Sequence, residues 1–245
     1  MSTPQNIYDD PDFFAGYRDL RTHDSGLNGV LEMPALQALL PDLAGAHVLD
    51  LGCGFGDFAR FARERGAASV TGVDVSARML REAVLRTHDP AIVYVHGAIE
   101  AYRPARMFDL AVSSLALHYV EDYAGVVRRV FDALAPGGCF MFSVEHPMCT
   151  AHPVGWVKDA DGTKLHWPVD RYRDEGPRAT RWFVDGVVKY HRTVETYVGT
   201  LLAAGFALTH VGEPGPTPAA LAARPDLANE KRRPPFLLLA ARRPA

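Results

Sequence analysis

Three cysteines in 245 residues, Cys53, Cys139 and Cys149, are too few and too scattered for a disulfide framework or a structural zinc site, and they read as reduced thiols. No apolar run approaches the roughly 18 residues of a membrane span. The start, Met1-Ser2-Thr3-Pro4-Gln5-Asn6, lacks the basic-then-apolar pattern of a signal peptide, so the expectation is a cytoplasmic chain. No charge of one sign dominates: 26 basic residues against 29 acidic ones leave a net charge of -3, spread along the chain. That excludes the basic stripe of a nucleic-acid groove or of a protein held on an anionic membrane. Small molecules become the expected partners, and no protein partner is evident. There is no internal repeat.

What remains is an ordinary globular composition, 48% hydrophobic and 22% charged. From about residue 46 to 144, short apolar runs alternate with amphipathic stretches, the pattern of βαβ units on a parallel sheet. Residues 46–51, 69–73, 92–95, 110–113 and 139–144 are expected strands. Ser76 caps a helix placing Met79, Leu80, Ala83 and Val84 on one face, and Pro136-Gly137-Gly138 is expected to end another. Thr193 caps a third helix, closed by Gly205, before two further strands at 207–212 and 235–241 complete the sheet. The expected fold is α/β: a Rossmann-like, seven-stranded, mostly parallel sheet with helices on both faces, forming one domain over residues 1–245.

Three segments lie outside that alternation. Residues 1–45 read as an N-terminal helical cover, in which Asp10-Pro11 starts a helix carrying Phe14, Tyr17 and Arg21 on one side. Residues 147–192 hold all three tryptophans and read as an inserted aromatic-rich lid. Its hairpin is expected to turn at Asp185-Gly186, between strands at 181–184 and 187–191. Residues 214–234 read as a surface loop.

The most informative stretch is Val48-Leu49-Asp50-Leu51-Gly52-Cys53-Gly54-Phe55-Gly56, a strand running into a glycine turn that opens a helix. Glycines there let backbone approach a nucleotide-like ligand closely. The spacing is G-x-G-x-G, with Asp57 where the dinucleotide fingerprint wants a third small residue, and no phosphate-loop Lys-Ser/Thr pair follows. Asp50 and Asp57 flank the loop without a Lys or Arg inside it, which disfavours phosphate and favours a cationic ligand. S-adenosylmethionine carries a sulfonium, an ammonium and an adenosine without phosphates. Asp74, 18 residues beyond Gly56, stands where a carboxylate can accept both ribose hydroxyls.

Val48–Gly56 with Gly72-Val73-Asp74, Gly97-Ala98-Ile99-Glu100, Phe108-Asp109-Leu110 and residues 134–138 resemble the class I S-adenosylmethionine-dependent methyltransferases over residues 45–145. The resemblance implies S-adenosylmethionine as cofactor. It places Asp50, Gly52, Cys53 and Gly54 around the donor, Asp74 and Val75 at the ribose, and Met79, Ala98 and Ile99 around the adenine. Ala98 departs from the Asp that many relatives use for the adenine amino group. The backbone of Ser114 or Leu115 would hold the ammonium, and Tyr17 with Arg21 would close over the donor, Arg21 on its carboxylate. Plain core packing is the competing reading of Met79 and Ile99, and a solvated surface pair that of Tyr17 and Arg21.

His118 and Tyr119 would face the transferable methyl, although His118 also fits a half-buried structural histidine. Methyl transfer needs the nucleophile, methyl and sulfur held collinear at about 3–3.5 Å, and no metal. A heterocyclic nitrogen needs only its proton removed, for which His118, Glu145 or His146 near their ordinary pKa values would serve. In the lid, Trp156, Trp167, Tyr172 and Trp182 suggest a planar acceptor, with His191 or Arg192 supplying polar recognition; about half of these would merely glue the lid to the sheet.

Further motifs, Asn6–Pro11 including Tyr8, Phe13-Phe14, Glu145-His146-Pro147, Tyr190-His191-Arg192-Thr193 and Glu213-Pro214, resemble the N-methyltransferases of toxoflavin biosynthesis. That resemblance implies a didemethylated toxoflavin precursor, a planar azapteridine, as the acceptor. The competing readings are O- or N-methylation of another small metabolite, a non-catalytic nucleoside-binding sensor, and a nicotinamide oxidoreductase.

Overall fold

Asp10 opens the first helix as its spacing predicts. Its carboxylate accepts hydrogen bonds from the amides of Asp12 and Phe13 at 3.0 and 2.9 Å, and Pro11 occupies the first turn, where no amide hydrogen is needed. The computed structural model describes residues 5–23, 26–152 and 154–245. Residues 1–4, on which the signal-peptide reading rests in part, and residues 24–25 and 153 of the expected cover and lid lie outside the described residues.

Helix α1 (Pro11–Thr22) and a π-helical turn at Asn28–Glu32 lead into α2 (Met33–Ala38). The core then runs β1 (His47–Leu51), α3 (Asp57–Glu64), β2 (Ser69–Asp74), α4 (Ala77–Leu85), β3 (Ile92–His96), β4 (Phe108–Ser114), α5 (Tyr123–Ala133) and β5 (Leu134–Glu145). After α6 (Pro147–Thr150) come two small antiparallel pairs, β6 (Val157–Lys158) with β7 (Lys164–His166), and β8 (Gly176–Trp182) with β9 (Val184–His191). The chain closes with α7 (Val194–Ala203), β10 (Ala207–Gly212), α8 (Pro218–Ala223) and β11 (Phe236–Arg242).

The seven-stranded sheet has the order β10-β11-β5-β4-β1-β2-β3. Only β11 runs against its neighbours; the other contacts in the sheet are parallel. Strand alternation divides the core between two faces. Leu49, Leu51 and Ala111 pack with α5 and α7 through Val127, Val130 and Leu201, whereas Val48, Leu110 and Val112 pack with α2 and α3 through Leu36, Phe58 and Ala62. Strand order reverses between β1 and β4, which opens a crevice at their carboxyl ends. No helix among the described residues is long and apolar enough to cross a membrane.

Four local expectations need correction. Helix α5 ends at Ala133, and Pro136-Gly137-Gly138 lies inside β5, where the Gly137 amide donates to the Arg243 carbonyl at 2.9 Å. Val84, in the last turn of α4, is 58% exposed, because the buried contacts of this helix are confined to its first two turns. The long hairpin reverses at Phe183 (φ 60°), with Trp182 opposite Val184; Asp185-Gly186 instead supplies a bulge in β9, Gly186 taking the left-handed φ of 78°. Residues 214–234 are not a plain loop: Thr217 caps α8, a 3-10 helix follows at Pro225–Lys231, and Leu227 is buried.

Candidate active site

A cavity of about 470 Å³ runs along the carboxyl edge of the sheet, from the end of β2 across β1, β4 and β5 to the start of β11. That volume falls within the roughly 300–1,000 Å³ of small-molecule and cofactor pockets. Its floor at β1 is the glycine loop, where Gly52, Gly54 and Gly56 all have positive φ (79°, 53° and 72°). A Cβ at Gly52 would lie 2.3 Å from the Ala116 side chain, and one at Gly56 2.0 Å from the Tyr94 hydroxyl. At Gly54 a Cβ would meet nothing within 4 Å. The first and third glycines are therefore demanded by packing, while the second leaves open space on a cavity wall.

Two carboxylates face this wall with different partners. Asp74 Oδ2 accepts from the Gly54 amide and Oδ1 from the Ser76 amide, both at 2.8 Å, so Asp74 tethers the loop to the end of β2. Burial raises its pKa, against the pull of those two amides. Asp50 is 2% exposed and its Oδ2 has no hydrogen-bond partner among the described residues. Burial, with Asp74 and Asp57 nearby, pushes it up to about 8. Asp57, expected to supply negative charge to the loop, is instead compensated: Arg60 lies 2.5 Å from its Oδ1 and Arg21 2.9 Å from its Oδ2. The carboxyl groups beside the loop that no cation pairs with among the described residues are Asp50 and Asp74.

All the residues expected at the donor line this one cavity: Tyr17, Arg21, Asp50, Gly52, Cys53, Gly54, Asp74, Val75, Met79, Ala98, Ile99, Ser114 and Leu115. Leu115 holds a left-handed φ of 52°, uncommon for a side chain with a Cβ, and its amide donates to the carbonyl and hydroxyl of Ser143, each at 3.1 Å. With the amide engaged, the carbonyl is the group Leu115 has to offer a ligand.

Beyond β4 the lining turns aromatic. Tyr8 meets Phe13, Tyr17 and Tyr119 edge-on at 4.9, 5.2 and 6.1 Å between ring centres, and Trp182 meets Phe13 and Tyr17 at 5.2 and 5.9 Å. These rings bring the N-terminal cover, the turn after β4 and the tip of the hairpin against one another. The polar groups among them are His118 and Glu145. His118 Nδ1 accepts from the Glu145 amide at 3.3 Å, and burial drops its pKa to about 3 against the opposing pull of the Glu145 carboxylate. The ring is thus neutral with its proton on Nε2. Burial works to raise Glu145, but Lys189 Nζ, 2.5 Å from its Oε1, outweighs that and holds the carboxyl below its ordinary value.

Six expected site residues lie elsewhere. His146 caps α6, accepting from the Met148 amide at 3.1 Å, and pairs with Glu213 at 3.0 Å outside the cavity lining. Trp156 and Trp167 pack edge-on at 5.4 Å and are covered by Arg232 and Arg233, 4.7 Å from the Trp156 ring and 4.2 Å from the Trp167 ring respectively. Tyr172 accepts from the Val194 amide, His191 bonds Thr150 Oγ1 and the Tyr172 carbonyl, and Arg192 donates to the carbonyls of Val120 and Glu121. The polar groups of Tyr172, His191 and Arg192 are engaged within the insertion and with the start of α7, α6 and the loop before α5, a structural role of the kind the sequence left open. Gln5, Asn28, Glu100 and Phe236 line the cavity without having been expected there. Glu100 alone carried a signal, adjoining Ala98-Ile99.

Against this geometry, the family model described as a methyltransferase domain matches residues 48–138. A crystal structure of an S-adenosylmethionine-dependent methyltransferase from Mesorhizobium loti is 51% identical, covering 89% of this chain and 100% of that one with a TM-score of 0.83. A Listeria monocytogenes structure assigned to the same family is 42% identical, covers 86% and 97%, and has a TM-score of 0.80. An uncharacterized protein of Haemophilus influenzae is 35% identical over 99% of both chains. More distantly, a malonyl-[acyl-carrier protein] O-methyltransferase of Enterobacter lignolyticus is 41% identical over 44% of this chain and 43% of its own length. The Burkholderia thailandensis 1,6-didemethyltoxoflavin-N1-methyltransferase, solved with its acceptor and S-adenosylhomocysteine, shares the fold at 19% identity, 100% and 92% coverage and a TM-score of 0.62.

Proposed function

This chain belongs to the class I S-adenosylmethionine-dependent methyltransferases, and from that premise we propose that it methylates a ring nitrogen of a planar heterocyclic small molecule, with a didemethylated toxoflavin precursor as the acceptor. The residues fit the donor. Asp50 is a buried carboxyl group whose Oδ2 has no hydrogen-bond partner among the described residues, suited to a cation, and Gly54 leaves room for close approach. Asp74 and Glu100 would take the ribose, Met79 and Ile99 the adenine faces, and the Leu115 carbonyl the ammonium. When bound, S-adenosylmethionine would supply a methyl group on a sulfonium, for a nitrogen lone pair to bond to that carbon as the carbon–sulfur bond breaks and the sulfur leaves as a neutral thioether.

The chain's own residues position the acceptor and take its proton. Tyr8, Tyr119 and Trp182 line the acceptor end, where aromatic faces suit a flat ring and exclude water. His118 Nε2–H donates to a ring oxygen or nitrogen. The nitrogen, once methylated, is cationic and acidic, so a carboxylate of low basicity suffices to accept its proton, and Glu145 is that carboxylate. His118 has no free lone pair to act as the base, because its Nδ1 accepts from the Glu145 amide and its Nε2 carries the proton.

The observation that carries this reading is the aromatic enclosure around one neutral donor and one carboxylate. It also weighs against the carboxylate acceptors suggested by the malonyl and trans-aconitate O-methyltransferases among the relatives. The lining contains Asp50, Asp57, Asp74, Glu100 and Glu145 with Arg21 as its one Lys or Arg among the described residues, and Arg21 is held by Asp57. Incubation with S-adenosylmethionine and 1,6-didemethyltoxoflavin, read by mass spectrometry, should show addition of a methyl group. Methylation of trans-aconitate or malonyl thioesters in its place would overturn the acceptor class.

A further inference from the structure

Glu32 lies outside the cavity lining, yet it is fully buried and its carboxylate joins two strands of the sheet to its own turn. It belongs to the π-helical turn of the N-terminal cover. Its Oε1 accepts from Ser143 Oγ at 2.5 Å in β5 and from Ser114 Oγ at 3.0 Å in β4, and its Oε2 accepts from Asn28 Nδ2 at 2.6 Å. Both ends of this network reach the cavity. Ser143 Oγ, while donating to Glu32, accepts from the amide of left-handed Leu115. Asn28 Oδ1 accepts from the Arg21 guanidinium, whose other terminal nitrogen holds Asp57 at the head of α3.

With Glu32 ionised, the direction of every bond is fixed. Arg21 can only donate, so Asn28 must present its oxygen to Arg21 and its amino group to Glu32. Glu32 must then accept on Oε2, and it accepts both hydroxyls on Oε1. A glutamine cannot reproduce this: either its amino group faces that of Asn28, or it faces Ser114 and Ser143, whose hydroxyl hydrogens then lose their buried acceptor. A buried donor facing a donor leaves both unsatisfied, which is the expensive outcome.

We propose that Glu32 is a positioning residue of the donor site, clamping the N-terminal cover onto the ends of β4 and β5 and holding the Leu115 backbone in its left-handed shape. It does this through Ser143 and Asn28 without touching the donor. The inference rests on the donor-site reading given above.

The test uses the full-length protein, with S-adenosylhomocysteine binding measured by calorimetry and with both Michaelis constants. Glu32→Gln should weaken S-adenosylhomocysteine binding about tenfold or more and raise the KM for the donor, while the KM for the acceptor and the rate at saturating donor move less than about threefold. Asn28→Asp added to Glu32→Gln restores a matching partner at each position, because the new carboxylate accepts both from Arg21 and from the amino group of the introduced glutamine, at unchanged net charge; donor binding should return to within about threefold of the parent. Should Glu32→Gln fail to fold, Ser114→Ala and the double variant carry the test, with weakened donor binding expected in the first and recovered folding and binding in the second. Unchanged donor affinity in Glu32→Gln, equal losses for donor and acceptor, or a double variant as weak as the single one would overturn the inference. A wild-type protein that binds S-adenosylhomocysteine separates these outcomes from failure of the donor site itself; one that does not would overturn both.

Discussion

The carboxylate of Asp74 and the amide of Gly54 are joined at 2.8 Å, so the side chain that faces the expected ribose also fixes the loop that faces the rest of the donor. Asp74→Ala removes a charged acceptor from both duties. A hydrogen bond to a charged group is worth roughly 1.5–3 kcal/mol, which predicts a loss of donor affinity of about tenfold to a hundredfold. Calorimetry with S-adenosylhomocysteine measures it, and unaltered binding would remove Asp74 from the site.

Asp50 is pushed up to about 8 by burial beside two other carboxylates, so at neutral pH the ligand-free protein holds a proton there. A cationic donor favours the carboxylate, and its binding should release up to one proton near pH 7. Titrations in two buffers of different ionisation enthalpy would show the difference, and Asp50→Asn should abolish it. The folded state binds this proton more tightly than the unfolded chain. Stability of the ligand-free protein is therefore full below the ordinary carboxylate range and declines as pH rises through about 8. Glu32, pushed up to about 7 by burial, acts in the same direction, so Asp50→Asn should flatten this decline without removing it.

Glu145→Gln should lower kcat about a hundredfold with little change in donor binding, as expected for loss of a proton acceptor. With His118 near 3, the wild-type pH–rate profile should show no break around 6.5. A break there, abolished by His118→Asn, would give the proton to the histidine.

The two tryptophans should behave differently. Trp182→Ala opens the aromatic wall and should raise the acceptor KM about tenfold, with donor affinity changed less. Trp156→Ala, which loses stacking against Arg232, Arg233 and Lys164, should cost about 1–2 kcal/mol of stability and leave both Michaelis constants in place. Equal kinetic damage from both would argue that the whole insertion acts as one structural unit.

Much of this protein is written in short-range pattern. The alternation of apolar runs marked out the sheet and its helices, and glycine spacing with Asp50 and Asp74 marked residues that line one cavity, because strand period, turn conformation and helix caps depend on residues a few positions apart. Tertiary structure decided what faces what across long gaps. The bulge at Asp185-Gly186 moves the reversal to Phe183, and with it Trp182 stands against Tyr17 while Trp156 and Trp167 go to the arginines. His118 loses its basicity through burial, and Glu145 keeps its charge through Lys189, 44 positions away. Glu32, 111 positions from Ser143, carried no local signal at all. Desolvation and partner choice are properties of packed neighbours, and a linear chain does not state who those neighbours are.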